Sequence, residues 1–279
     1  MNAAARRLRM HAGPLLLGAI PLLFVFSFFM YPLIRLFLTS FDGGDFAGYS
    51  RALTDSLYAG VLLDTLRLAL IVTALCFVLA YPVAYLLANV SRVWAAVGFG
   101  CLLLPFWTSV LVRTYAWMIL LGRNGIVNRA LLDLRIITEP LPLLYNETGV
   151  VIGMVHVLLP YMVFPIYAVM RRIDRDLPVA AAGLGASPWR VFTRIYFPMT
   201  LPGAYAGAVL VFVVALGFFI TPALLGGGKV MTIGLLIEQQ VRQFLDWPFA
   251  AALSALLLAA ALLIQAAFQR LLRGGPAWR

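Results

Sequence analysis

What this sequence lacks first is charge: only 11% of its 279 residues are Asp, Glu, Lys or Arg, while 63% are hydrophobic. A soluble globular domain carries about 25% charged residues, so no water-facing surface can be built from this composition. Reactive side chains are scarce as well, with two cysteines and two histidines in the whole chain. Cys76 and Cys101 both fall in uncharged runs, which suits small apolar packing residues better than a disulfide or a metal site. The stretches between the runs are too short for a soluble catalytic domain of about 100 residues. Catalysis therefore has to lie within a bilayer or come from a partner.

What is present is length without charge. The windows 12–34, 68–91, 93–112, 148–170, 195–228 and 247–269 contain no Asp, Glu, Lys or Arg. Each is long enough for the roughly 20 helical residues that cross a hydrocarbon core. The pattern predicts an all-α polytopic membrane protein forming one domain over 1–279, with spans at about 14–36, 61–89, 93–120, 149–170, 203–225 and 247–270. The first window follows Arg6, Arg7 and Arg9 as a secretory leader would, but its length and the lack of a small-residue cleavage site after Met30 favour a retained helix.

Bases outnumber acids by 21 to 11. In a soluble chain this would raise nucleic acid as a partner; here the bases are distributed as membrane orientation requires, and no nucleic acid is expected. With six spans and the N-terminus inside, Arg6, Arg7, Arg9, Arg92, Arg171, Arg172, Arg175, Arg190, Arg194, Arg270, Arg273 and Arg279 lie on the cytoplasmic side. Only Arg51, Arg123, Arg129, Arg135, Lys229 and Arg242 lie outside. This positive-inside bias places both termini in the cytoplasm and the chain as a multi-pass protein in the inner membrane, in contact with lipid. Asp42-Gly43-Gly44-Asp45 reads as an outside turn, and Gly122 to Thr148 as an outside segment with short interfacial helices.

The inside segment 171–202 is neither a minimal loop nor a polar tail. Asp176 ahead of Leu177-Pro178 reads as a helix cap, Val179 to Leu184 as a compact small-residue helix, and Gly185 as the left-handed residue that ends it. Ser187-Pro188 then reads as an N-cap and first-turn pair opening a second short helix, which Pro198 is expected to stop.

The run Val179-Ala180-Ala181-Ala182-Gly183-Leu184-Gly185-Ala186-Ser187, followed by Ile195-Tyr196-Phe197-Pro198, resembles the EAA loop of the permease subunits of binding-protein-dependent ABC importers. The family pattern falls on Ala180, Ala181, Gly185, Ser187, Ile195 and Pro198. Val179 stands where the family carries a glutamate, so a polar contact there is not to be expected. Leu104-Pro105-Phe106-Trp107, Leu158-Leu159-Pro160-Tyr161-Met162, Leu224 to Lys229 and Trp247 to Ser254 resemble the spermidine/putrescine branch of the same family. The resemblance implies the type I importer permease fold, with 171–202 as the cytoplasmic coupling loop. It also implies a second permease subunit, a homologous chain or a second copy of this one, with two ATPase subunits and an extracytoplasmic solute-binding protein. ATP and magnesium would be bound by the ATPase, with no cofactor on this chain.

Other features weigh against rival readings. Gly226-Gly227-Gly228-Lys229 is not a phosphate loop, because Ala223 and Val230 occupy the places of its first glycine and its Ser or Thr. His156 has Ile152 and Pro160 at the helical metal spacings, which favours a hydrogen-bonded buried histidine over a ligand. Arg113 inside a span must face protein or water; either a structural carboxylate or the solute is its partner. A polyamine needs carboxylates and aromatic faces along its path. The candidates are Asp64, Glu238 and Asp246, with Trp107, Tyr115, Trp117 and Phe218. Each has a second explanation: Trp107 as an interfacial belt residue, Phe218 as packing, Asp246 as the cap of the last span. The competing classes are a stand-alone secondary transporter or channel, for which no coupling acid pair is visible, and an intramembrane enzyme, for which no reactive constellation is visible.

Overall fold

In hydrocarbon a backbone has no water to bond, so long uncharged runs satisfy their N–H and C=O groups internally, as helices. The computed structural model describes residues 18–19, 21–41, 46–174 and 176–273, and every regular element among them is helical. Along the chain these are α1 (Pro21–Thr39), α2 (Ala47–Thr54), α3 (Ser56–Asn89), α4 (Arg92–Leu103), α5 (Val110–Leu121) and α6 (Ile126–Asp133). There follow α7 (Glu147–Met170), α8 (Asp176–Gly183), α9 (Pro188–Leu216), α10 (Ile220–Leu225), α11 (Ile233–Gln239) and α12 (Trp247–Arg273). Five are long and apolar enough to cross a membrane, or six if the bent pair containing α4 and α5 is one span. The arginines 6, 7, 9, 175 and 279, the turn at 42–45 and the start of the first expected span lie outside the described residues.

Helices α3, α7 and α9 pack on one another and hold the core, in which Val72, Cys76, Ala80, Val150, Met154, Met162, Ile166 and Val211 are fully enclosed. Small residues make this approach possible. A Cβ on Gly203 would lie 2.6 Å from the carbonyl oxygen of Pro165, and one on Gly207 would lie 2.8 Å from Met162 Sδ. The four-residue spacing of these glycines puts both on the face of α9 that meets α7, a close helix contact of the kind membrane interiors favour. A second, smaller core joins Ala52, Tyr58, Val61, Ile233, Phe249 and Leu253 at the end of the bundle away from 171–202. Among the described residues, helix α1 packs along α12 and leaves Leu22, Phe26, Phe28 and Phe29 exposed.

Several boundaries differ from the sequence expectation, each for a local reason. Helix α3 begins at Ser56 because the Asp55 carboxylate accepts the N–H of Leu57 at 2.9 Å. The stretch expected as one span over 93–120 is broken: a 3-10 turn over Leu104–Trp107 follows α4, Thr108 is extended, and Ser109 caps α5 by accepting from Leu111 N at 3.3 Å. The two arms bend by 101°. Pro160 and Pro165 leave α7 continuous. The fifth long helix begins at Pro188 and ends at Leu216, and 220–225 forms the separate α10.

Candidate functional site

The segment 171–202 folds as a helix, a bend and a second helix. Its first helix is opened by Asp174, whose carboxylate accepts the N–H of Asp176 at 3.0 Å. The cap therefore belongs to Asp174, and Asp176 is already the first helical residue. The helix closes with Ala186 N donating to Ala181 O and Gly185 N to Ala182 O, the paired bonds of a Schellman ending. Gly185 carries φ +85°, with open space where a Cβ would be. Only glycine adopts that conformation without strain.

Ser187 is extended and in the N-cap position, and Pro188 starts the second helix, although the Ser187 side chain makes no cap bond. Contrary to expectation, Pro198 does not end this helix. A π-turn over Phe192–Tyr196 shifts the ladder, with Phe197 N reaching Phe192 O, and Pro198 sits in the first turn beyond the shift. At such a register change the N–H that proline lacks leaves no gap in the ladder. Ile195 and Pro198 thus lie inside α9, in line with the span that follows.

The face of the loop turned away from the spans is apolar and bare. Leu184 is 90% exposed, Trp189 72% and Val179 69%, with Leu177 beside them. Ala180 is also exposed and Ala181 half-buried. Apolar side chains grouped outside a span mark a surface awaiting a partner. The opposite side of the loop is tied to α3 by an aromatic cluster. Tyr81 stands 5.5 Å from Phe197, Tyr85 stands 5.5 Å from Tyr196, and the Tyr81 hydroxyl meets Thr200 Oγ1 at 3.1 Å. Sequence reading missed this cluster; its signal was the i, i+4 pairs Tyr81/Tyr85 and Phe192/Tyr196, which place two rings on one face of each helix.

The solute-path candidates fall in several places. Arg113 and Phe218 meet Phe106 and Tyr161 around a small cavity of about 60 Å³ between α5, α7 and α9. The Arg113 Nε is buried without a hydrogen-bond partner, and among the described residues no carboxylate pairs with this guanidinium. Trp117 donates its Nε1–H to His156 Nδ1 at 3.1 Å. Tyr115 is 53% exposed and Trp107 90%.

At the end away from 171–202, Asp64 lines a cavity of about 240 Å³ with Arg67, Glu147 and Lys229, and Arg67 pairs with Glu147 at 3.5 Å. Glu238 pairs with Arg242 at 3.3 Å. Asp246 accepts from Phe249 N at 3.1 Å as the cap of α12 and lies 3.7 Å from Arg51. Gly227 and Gly228 carry φ of +55° and +74°, so the glycine run before Lys229 is a tight turn. Asn128, fully buried, holds the segment 122–141 together by donating to Gly122 O and Leu141 O and accepting from Leu141 N.

A helical bundle with an apolar exterior and a bent projection presenting bare apolar side chains is the build of a membrane subunit with a surface for a partner. Residues 15–274 match the model of the binding-protein-dependent transport system inner membrane component, and the chain belongs to that family. It is thus a multi-pass inner-membrane permease subunit of an ABC importer, a class that works with ATPase and solute-binding partners. It is 42% identical over 206 residues to the spermidine/putrescine transport system permease protein PotB of Escherichia coli, covering 74% of each chain. The protein of that name from Haemophilus influenzae is 37% identical over 202 residues, covering 72% of this chain and 71% of its own. Among solved structures, a bacterial alginate ABC transporter in complex with an alginate pentasaccharide-bound periplasmic protein matches with a TM-score of 0.72 at 18% identity, covering 92% of both chains.

Proposed function

We propose that this chain is one half of the pathway of an ATP-driven importer for a polyamine such as spermidine or putrescine. The observation that carries the cargo is the 42% identity, over three quarters of the chain, to permeases named for those two amines. The path is completed by a second, homologous permease subunit. Two ATPase subunits dock on the bare apolar face of 171–202, and a solute-binding protein docks on the opposite side. In this reading the coupling segment and both termini face the cytoplasm, and Asp64, Glu238 and Asp246 stand toward the outside.

The mechanism is alternating access. ATP-driven closure of the ATPase pair draws the two coupling loops together, turns the path outward and accepts solute; hydrolysis returns it. The cation loses hydration in the path, and carboxylates and ring faces replace part of it. Uptake of labelled putrescine by the reconstituted complex tests the cargo. Glu238→Gln and Asp246→Asn should lower uptake and leave basal ATPase activity in place. Asparagine still caps α12 at 246, so the helix start is kept while the charge and its pairing with Arg51 are removed; Arg51→Ala, which breaks the same pairing and keeps the carboxylate, is the control. Full uptake in both variants, with a binding protein that takes up no amine, would transfer the importer to another small organic solute.

A further inference from the structure

Arg51 lies among the groups that hold organic ammonium ions. Its guanidinium carbon is 4.4 Å from the centre of the Phe249 ring and 5.4 Å from that of Tyr58, and the two rings meet edge to face at 4.9 Å. Arg51 Nη2 donates to the Tyr58 hydroxyl at 3.0 Å, and Nη1 stands 3.7 Å from Asp246 Oδ2. Two ring faces and a carboxylate around one cation make a box for positive charge.

The walls of this box are fixed and its occupant is not. Phe249 and Tyr58 are buried in the second core. Asp246 is pinned twice, its N–H donating to Gln240 O at 3.0 Å and its Oδ1 accepting from Phe249 N. Leu245 before it holds φ +54°, a conformation that a leucine adopts only under strain. Oδ2 is left to face Arg51. The Arg51 side chain, by contrast, is 53% exposed and rises from the eight-residue helix α2. Cation–ring and ion-pair contacts that face water are individually weak, so the guanidinium is an exchangeable lid on a rigid box.

We propose that Arg51 is a tethered stand-in for an organic ammonium ion, and that an incoming amine takes its place on Phe249, Tyr58 and Asp246. The exchange releases α2 from its polar ties to α3 and α12. A tethered competitor acts at an effective concentration on the order of millimolar. Dilute free amine therefore leaves Arg51 in place, whereas an amine released by a docked binding protein arrives at high local concentration and displaces it. The box is in this way a first station for delivered cargo. That role rests on the amine-importer reading; the exchange itself does not.

The test uses the complete complex in detergent without binding protein, with putrescine and methylguanidinium as probes and the melting temperature as readout. In the parent, either probe should raise the melting temperature only at concentrations on the order of millimolar or above. In Arg51→Ala the half-effective concentration should fall about 10-fold or more, because the competitor is gone. The uncharged 1,4-butanediol should have no effect. Adding Asp246→Asn to Arg51→Ala keeps the acceptor for Phe249 N and removes the charge facing the box, so the half-effective concentration should rise again about 5- to 10-fold. Arg51→Lys, which keeps a tethered ammonium, should stay near the parent.

No amine-dependent rise in Arg51→Ala, or the same half-effective concentration with and without Asp246→Asn, overturns the proposal. If Arg51→Ala does not assemble, Arg51→Gln, which retains a donor for the Tyr58 hydroxyl, carries the same comparison. The two readings fail separately. Putrescine uptake without the Asp246-dependent rise removes the box alone. The rise in a complex that takes up no putrescine or spermidine removes the cargo and leaves the ammonium site.

Discussion

Replacing Gly185 by alanine isolates the bend in 171–202 from everything around it. The residue holds φ +85°, and a Cβ there would meet nothing within 4 Å, so in the chain alone the substitution produces no clash. The cost is conformational, about 1–2 kcal/mol for an L-residue in the left-handed region. That lowers the population of the bent loop about 5- to 30-fold relative to its alternatives. If docking selects the bent form, the concentration of loaded binding protein needed for half-maximal ATPase stimulation should rise by a similar factor. Basal ATPase activity and recovery of the complex should be unchanged. Gly185→Val, stiffer at its branched Cβ, should abolish stimulation, and Gly185→Asn should be milder because asparagine visits this region more readily. Gly183→Ala is the control: its neighbourhood is equally open and its φ is not positive, so it should behave as the parent. Full stimulation in Gly185→Val, or equal damage from Gly183→Ala and Gly185→Ala, would refute the argument.

Membrane orientation is checked by an impermeant thiol reagent on intact cells in a Cys101→Ser background: cysteine at the exposed Ala130 should label and cysteine at Leu184 should not. Arg51→Ala removes a hydrogen bond to the Tyr58 hydroxyl, a 3.7 Å pairing with Asp246 and a guanidinium 4.4 Å from the centre of the Phe249 ring. With the pair half in solvent, the expected loss is about 1 kcal/mol, read as a lower melting temperature in detergent; an unchanged melting curve would leave the second core without this clamp. Gly207→Leu should overfill the contact between α7 and α9 by about 1–3 kcal/mol or more, seen as loss of the monodisperse peak on size-exclusion chromatography. Recovery equal to the parent would mean that these helices can separate freely.

The sequence made the class of fold legible because uncharged length is a strong signal, and it made the helix, bend and helix of 171–202 legible because Gly185, Ser187 and Pro188 each have one dominant local use. It was weaker wherever two signals overlapped. Pro105 and Ser109 were passed over as parts of a span, although Ser109 caps a new helix and the path turns by 101° there. Pro198 was read as a stop, since a π-turn leaves no mark in composition that would have reversed the usual meaning of proline. The pathway candidates were harder still. Asp64 falls beside Arg67, Glu147 and Lys229, Asp246 caps a helix, and Trp117 is bonded to a histidine. These are long-range placements that hydropathy does not encode.

The uninterrupted run from Pro188 to Leu216 has a mechanical consequence. At about 1.5 Å per residue its 29 residues make a rod of about 43 Å, with the Gly185 bend just beyond one end and the break at Gly217–Phe219 at the other. A rod turns displacement into rotation without the slack of a flexible joint. A tilt of about 10° about its tip would carry the far end through about 7 Å, given that length. Helix α10 and the loop to α11 begin just past that end, so they receive the largest stroke. The π-turn beneath Pro198 is what keeps the arm in one piece.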